Sequence, residues 1–414
     1  MKLKQILIIS MQYPEPKSTA AGSRMLQIIS LLKSYGYEVH FASTQPKSKY
    51  SVDLSSYGLD TSLIKINDGY FDTFIKRLKP DAVIFDRFMT EEQFGWRIDE
   101  HCPKALKILD TEDLHFLRSW RERQVNSDGH INLPKRLNDI ALRELAAIYR
   151  CDWTLMISKV EIEILTKTYG ISKHVLFYLP FVYKTKNLLD DKIPPYEERS
   201  HFVSIGNFKH KPNLDMVKHT YKNIWPKIRQ ILPKAEWHIY GAYCPESVKQ
   251  FYNSKKGVIV RGRADEVLSA LENYRIMLAP LRFGAGLKGK CVDSMRAGTP
   301  SMTTKIGAEG IASPQNWPGF VEDQLESFTQ KSIELYANED LWKEKQQKGF
   351  HILHKEFDIK SFKDDFKTKI TGSFQDLESY RHRNIVGQLL KHHHHRSTKF
   401  MSLWIEAKNS EINS

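Results

Sequence analysis

Chemically expressive residues concentrate between Ala279 and Ile311, in APLRFGAGLKGKCVDSMRAGTPSMTTKIGAEGI. Arg282, Lys288 and Lys290 place cations in one short loop that also holds Gly284, Gly286 and Gly289. Glycine lets backbone N–H groups approach a ligand closely. Lys290 to Ala297 then has helical spacing, with Cys291, Val292 and Met295 apolar. A helix start leaves its first N–H groups unpaired and turns the positive end of its dipole outward, so an anion binds there. Backbone from Gly284 through Ala285 and Gly286 to Leu287 adds further donors. Arg282 and Lys288 are the candidates for acting on charge that develops at such an anion, and Lys290 and Asp293 for holding the ligand. Asp293 stands one turn inside the helix, in reach of a sugar hydroxyl. The pattern reads as a pocket for a diphosphate bearing a sugar. A tight strand–loop–helix joint in any α/β protein would use the same glycines without a ligand.

Strands alternating with helices must position this loop. Gln5–Ser10 (QILIIS) is a continuous apolar run, as a strand buried on both faces requires. A loop with two prolines follows, then a helical stretch with Met25, Ile28, Ile29, Leu31 and Leu32 on one face and Gly36 at its end, then a strand at Tyr37–Ala42. This is a βαβ unit. Further strands are expected at Pro80–Asp86, Ala105–Asp110, Asp152–Ser158 and Val175–Pro180, with helices at Leu137–Arg150 and Lys159–Tyr169. Lys184 to Ser200 is polar with adjacent prolines and reads as a linker. A second set begins at Phe202–Gly206 and continues through a helix at Leu214–Leu232 to strands at Glu236–Tyr240, Gly257–Arg263 and Tyr274–Leu281. Gly298-Thr299-Pro300 stops the Lys290 helix before a strand at Ser301–Thr304. The expected fold is α/β, with two Rossmann-like domains, 1–185 and 200–375, facing a cleft, and a basic helical extension at 376–414.

In doubly wound sheets the residues just past strand carboxyl ends line the ligand crevice. That rule singles out Asp110, Glu112, Asp113, His115 and Arg118, and His115 above the rest as a contact to a ligand. Asp113 equally fits an N-cap and Asp110 a strand-end cap. Arg24 begins the first helix, where it is either solvated or turned to an acidic ligand.

The chain has 414 residues and a formal net charge of +13, with 41% hydrophobic and 27% charged residues. That suits a protein of two or three domains with an anionic partner. Zinc-finger, basic-zipper and RNP signatures are absent, so nucleic acid is not the expected partner. No run of about 18 apolar residues suggests a membrane span. Cys102, Cys151, Cys244 and Cys291 are far apart, so neither a zinc site nor a disulfide framework is expected, and a reducing cytoplasm fits. His392 to His395 lie inside a mixed sequence with Phe400, Leu403, Trp404 and Ile405, unlike a terminal tag. A basic surface patch, contact with an acidic membrane and a return of the chain to the first domain all fit this tail.

The Ala279–Ile311 stretch resembles the donor-site signature of retaining GT-B glycosyltransferases, the large family 4 group. Such proteins show a proline, a glycine-rich loop, a helix with an acid, then A-x-G-x-P and G-x-E-G. Here the last two are Ala297-Gly298-Thr299-Pro300 and Gly307-Ala308-Glu309-Gly310. Many members have two glutamates separated by seven residues. Asp293 stands at the later position and Ala285 at the earlier one, whose acid contacts the donor sugar. Either the Gly284–Leu287 amides or Glu309 substitute, or the donor differs. SIGNFKHKPN resembles the family's opening of its donor domain, which implies Gly206 and Lys211 as donor contacts. The strand ending at Gly262 implies a backbone contact to the nucleobase. The loop with Gly22 and Arg24, together with Asp113, corresponds to the acceptor side.

The resemblance covers about residues 1 to 375. It implies transfer of a sugar from a nucleoside diphosphate sugar to a carbohydrate, lipid-linked or protein acceptor hydroxyl with retention, in bacterial cell-surface polysaccharide or glycoconjugate synthesis. No metal or cofactor is implied, and no DxD pair is present. Peripheral contact with the inner face of the membrane is a further expectation. A scaffold that binds sugar nucleotides without catalysis is the alternative that the missing acid at Ala285 suggests.

Overall fold

The apolar runs become the centre of a parallel sheet in the computed structural model, which describes residues 4–125, 137–185 and 193–412, the side chains of 394–396 and 410–412 excepted. Its strands are β1 (Gln5–Ser10), β2 (Glu38–Ser43), β3 (Asp60–Leu63), β4 (Ala82–Asp86), β5 (Leu106–Asp110), β6 (Trp153–Met156) and β7 (Leu176–Tyr178). They lie in the order β3-β2-β1-β4-β5-β6-β7. A second parallel sheet contains β8 (Ser200–Ile205), β9 (Trp237–Tyr240), β10 (Val258–Gly262), β11 (Tyr274–Ala279), β12 (Ser301–Thr303) and β13 (Gly319–Val321), in the order β10-β9-β8-β11-β12-β13. Helices cover the sheets, so Ile6 to Ile9 and Ile276 to Ala279 are fully buried, and their sequences are apolar throughout.

Strand order reverses beside β1 and again beside β8. Crevices open at the carboxyl ends of strands that flank such a reversal, because the connections there depart to opposite faces of the sheet. The loops after β1, β4, β8 and β11 all reach one cleft between the two sheets. Two strands lie outside the sequence expectation. β3 is a half-exposed edge strand, DTSL, with no apolar pattern to betray it. β13 has only three residues.

The chain returns to the first sheet earlier than its sequence suggests. Tyr183 and Asp358 form an isolated parallel bridge. Tyr183 N–H donates to Phe357 O at 2.8 Å, and Ile359 N–H to Tyr183 O at 2.9 Å. Beyond it, helix Lys360–Gln375 packs Phe366 and Ile370 into the first sheet's core. Trp153 Nε1 donates to Ser373 at 3.0 Å. That helix therefore sits with the first sheet, although the sequence places the second domain's end at 375. Its stripe of aromatic residues shows an amphipathic helix but not which sheet receives it. Helices Leu377–Arg383 and Ile385–Ile412 continue along the same domain, held by Arg381 to Asp152 at 3.0 Å and Lys399 to Glu100 at 2.7 Å. Among the described residues, no helix is long and apolar enough to cross a membrane.

Candidate active site

The cleft has a volume of about 460 Å³, within the range of small-molecule sites. One wall comes from the loops after β4 and β5. There Arg87 and Glu112 face the cavity with φ of 69° and 62°. Such values cost a non-glycine residue roughly 1–3 kcal/mol, and strain of this kind gathers at functional sites. Helix His115–Val125 begins beside them. Its first N–H groups are taken by carboxylates from two neighbouring helices. Glu144 accepts from His115 and Phe116, each at 3.0 Å, and Glu161 accepts from Leu114 at 3.0 Å. The His115 ring Nδ1 lies 3.2 Å from both Glu144 Oε1 and Asp113 O. Both neighbours are acceptors, so Nδ1 carries the proton and Nε2 is left for a ligand.

The opposite wall is the loop between β11 and helix Gly289–Arg296, together with Gly206, His210 and Asn213. No side chain caps the N-terminus of that helix. Lys288 is 7% exposed. Its Nζ donates to Gly286 O at 2.8 Å and lies 4.0 Å from Glu309. Burial pulls the Lys288 ammonium below its usual pKa, with Glu309 opposing. Burial brings Lys290 down to about 8. An arriving diphosphate would raise both again, since a nearby anion favours the protonated amine. Asp293 pairs with Arg296 at 3.0 Å. For Asp113, burial alone would raise the pKa, but Arg118 and His115 outweigh it and hold the carboxylate ionised.

The structure brings Asp113 and His115 to the first wall, and Gly206, Ala285, Lys288 and Lys290 to the second. Gly284, Leu287 and Asp293 join them there. Seven other candidates sit elsewhere. Arg282 turns away and pairs with Asp215 at 2.9 Å, and Lys211 points outward, pairing with Glu122 at 2.8 Å. Gly262 does not line the cleft; its carbonyl accepts from Gly241 N–H at 2.7 Å, and Arg263 and Ala264 face the cavity instead. Gly286 donates its N–H to Glu161 at 2.8 Å. A Cβ on Gly286 would stand 2.8 Å from the Asp113 Cβ, so this glycine seals the two domains together. Glu309 is engaged by Arg121 at 2.8 and 2.7 Å. Gly22 is required by packing, since a Cβ there would lie 2.6 Å from the Glu15 backbone.

Arg24 is the seventh. It is 1% exposed, bonded to Asp110 at 3.0 and 3.2 Å and to Leu179 O at 2.6 Å. It holds β5 to the chain after β7 rather than meeting an acceptor.

Arg87, Arg121, Glu161 and Arg263 escaped sequence reasoning. The strand-end rule applied to β4 would have found Arg87. Arg121 and Glu161 act across the domain boundary, which no local pattern encodes. Glu161 is fully buried, and burial raises its carboxyl to about 8. The folded chain thus keeps a proton that the unfolded chain, near 4.5, has released. Stability from this group is full below about 4.5 and is lost as pH rises through about 8. Urea unfolding at pH 5 and pH 8 should show Glu161→Gln losing less stability over this interval than wild type. Parallel profiles for the two proteins would contradict the assignment. Among the described residues, no group of three or more His, Cys, Asp or Glu is placed to hold a metal ion.

The sequence pattern described as "Glycosyl transferases group 1" matches residues 199–338, most of the second domain. No curated protein matches the sequence. Solved structures match the fold across both domains. Sucrose-phosphate synthase from Thermosynechococcus elongatus superposes with a TM-score of 0.68 at 14% identity, covering 90% of this chain and 100% of its own. A glycosyltransferase from Rickettsia africae gives 0.65 at 10% identity, covering 91% and 100%. Anabaena HepE, solved with UDP and glucose, gives 0.62 at 10% identity, covering 88% and 99%. Two parallel-sheet α/β domains in this arrangement are the GT-B fold.

Proposed function

We propose that the protein is a glycosyltransferase that moves a sugar from a nucleoside diphosphate sugar to an acceptor hydroxyl with retention, as in bacterial cell-surface polysaccharide or glycoconjugate synthesis. The observation that carries this reading is the convergence of Lys288, Lys290 and the uncapped start of helix Gly289–Arg296 on one cleft wall. The bond from the anomeric carbon to the β-phosphate oxygen breaks. A bond to the acceptor oxygen forms, and the acceptor proton passes to a leaving diphosphate oxygen. Fixed positive groups lower the cost of the charge that develops on that diphosphate. In this reading the protein's own cations serve without a metal. His115 Nε2 meets sugar or acceptor hydroxyls from the other wall, and Asp293 a hydroxyl of the donor. A thermal-shift screen over nucleoside diphosphate sugars tests the reading, because a ligand at 100 times its Kd stabilises by about 2.7 kcal/mol. A screen in which no such compound raises the melting temperature contradicts it. Binding without turnover would instead favour a scaffold, the reading that Ala285 keeps open.

Work at the inner face of an acidic membrane completes the proposal. Helix Ile385–Ile412 exposes Leu389, Phe400, Met401 and Trp404, each by more than half. Lys408 Nζ lies 5.2 Å from the Trp404 ring, and Arg383 precedes the helix. Aromatic and aliphatic side chains beside cations suit an anionic lipid surface. The protein should float with phosphatidylglycerol vesicles at low salt and remain behind with phosphatidylcholine. Phe400→Asp with Trp404→Asp should abolish flotation. Unchanged flotation of that variant would remove the helix from the interface.

A further inference from the structure

We propose that Glu112 is the residue with which the first domain grips the sugar of the donor, opposite the position where Ala285 offers only a methyl group. The inference rests on the reading that a nucleoside diphosphate sugar occupies the cleft. Glu112 lines the cavity, yet its Oε1 is shielded from solvent and has no hydrogen-bond partner. The carboxylates around it each have at least one oxygen engaged, Asp86 by Ser10, Asp110 by Arg24, Asp113 by Arg118, Glu144 by His115 and Glu161 by backbone amides. Asp86 Oδ1, Asp110 Oδ2 and Glu161 Oε2 also lack a partner, but of these four residues Glu112 is the one that lines the cavity. A buried oxygen without a partner costs stability, and a turn of the carboxyl that brings it to the cavity, where a ligand hydroxyl supplies a partner, removes that cost.

Placement points to the sugar. A Cβ on Gly286 would come 3.1 Å from the Glu112 carbonyl oxygen, so this residue is pressed against the loop that leads to Lys288. A sugar carried on a phosphate held by Lys288 therefore comes to rest near Glu112. The left-handed φ of 62° is what turns the chain into the cleft at the end of β5. Protonation suits the role. Burial, and next the charge of Asp110, lift the carboxyl to about 8, against Arg24 and Arg87. A neutral carboxyl both donates to and accepts from hydroxyls, and it does not repel a diphosphate.

The test is titration calorimetry of wild type, Glu112→Gln and Glu112→Ala with UDP, GDP and ADP, each with and without its glucosyl group. In the wild type the glucosyl form of the preferred nucleotide should bind more tightly than the bare diphosphate. Both variants should bind the bare diphosphate within about twofold of wild type. The advantage of the sugar should fall by about tenfold in Glu112→Ala, the loss of roughly one hydrogen bond to a buried group, and by less in Glu112→Gln. An undiminished sugar advantage in both variants overturns the assignment of Glu112. A wild type that binds none of the six compounds overturns the donor reading beneath it.

Discussion

Lys288→Met should abolish the thermal stabilisation given by the preferred nucleoside diphosphate sugar, while the unliganded variant melts no lower than wild type. Lys288 is 7% exposed and its Nζ has one hydrogen bond, to Gly286 O. Its nearest carboxylate, Glu309, is 4.0 Å away and already shared with Arg121. Removing an ammonium from water at such a site costs several kcal/mol before compensation. Methionine fills similar space without that cost, and Arg121 and Glu309 keep their own pair. Under the proposed function, transfer should in contrast lose a cation beside the leaving diphosphate, with a fall of about 10²–10³-fold expected for a group of this kind. Sites tuned for a ligand often trade stability for activity in this way. Scanning fluorimetry with and without donor, followed by release of nucleoside diphosphate, reads both halves. A variant still stabilised by the donor as strongly as wild type would take Lys288 out of the site.

Asp110→Ala has the opposite signature. The Arg24–Asp110 pair is fully buried, with Arg24 1% exposed and Asp110 0%. Deleting the carboxylate strands a guanidinium that keeps only the carbonyls of Leu179 and Pro180. Breaking one side of a buried pair costs about 3–5 kcal/mol, whereas replacing both sides with apolar residues of similar volume is often neutral. Urea unfolding should therefore show an unfolding free energy lowered by that amount for Asp110→Ala and largely restored in Arg24→Met with Asp110→Leu. A loss under about 1 kcal/mol in the single variant would mean that the pair does not bind β5 to the end of β7.

The contrast between these residues marks what could be read in the sequence. The place of Lys288 on the cleft wall was legible because its neighbours in sequence, three glycines and a helix start, are also its neighbours in space. The central strands were legible for a similar reason: a strand covered on both faces must be apolar along its length, as in Gln5–Ser10. Arg24 was not legible, because its partner lies 86 residues away and a lone cation at a helix start looks solvated. Arg282 paired with Asp215, Lys211 with Glu122 and Glu309 with Arg121 are the same case. Each is a charge whose role is fixed by another turn of the fold. The cross-domain ties, Glu161 to Gly286 and Arg121 to Glu309, depend on how two sheets face each other. Edge strand β3 escaped because edges need no apolar pattern.

Locating two phosphorus atoms would decide whether the start of helix Gly289–Arg296 binds a diphosphate. A crystal structure should be determined with the nucleoside diphosphate that stabilises the protein most. Both phosphoryl groups should lie in the cleft, within hydrogen-bond distance of Lys288 or Lys290 and of the first amides of helix Gly289–Arg296. Phosphates bound elsewhere, with that helix start still in contact only with protein, would contradict it.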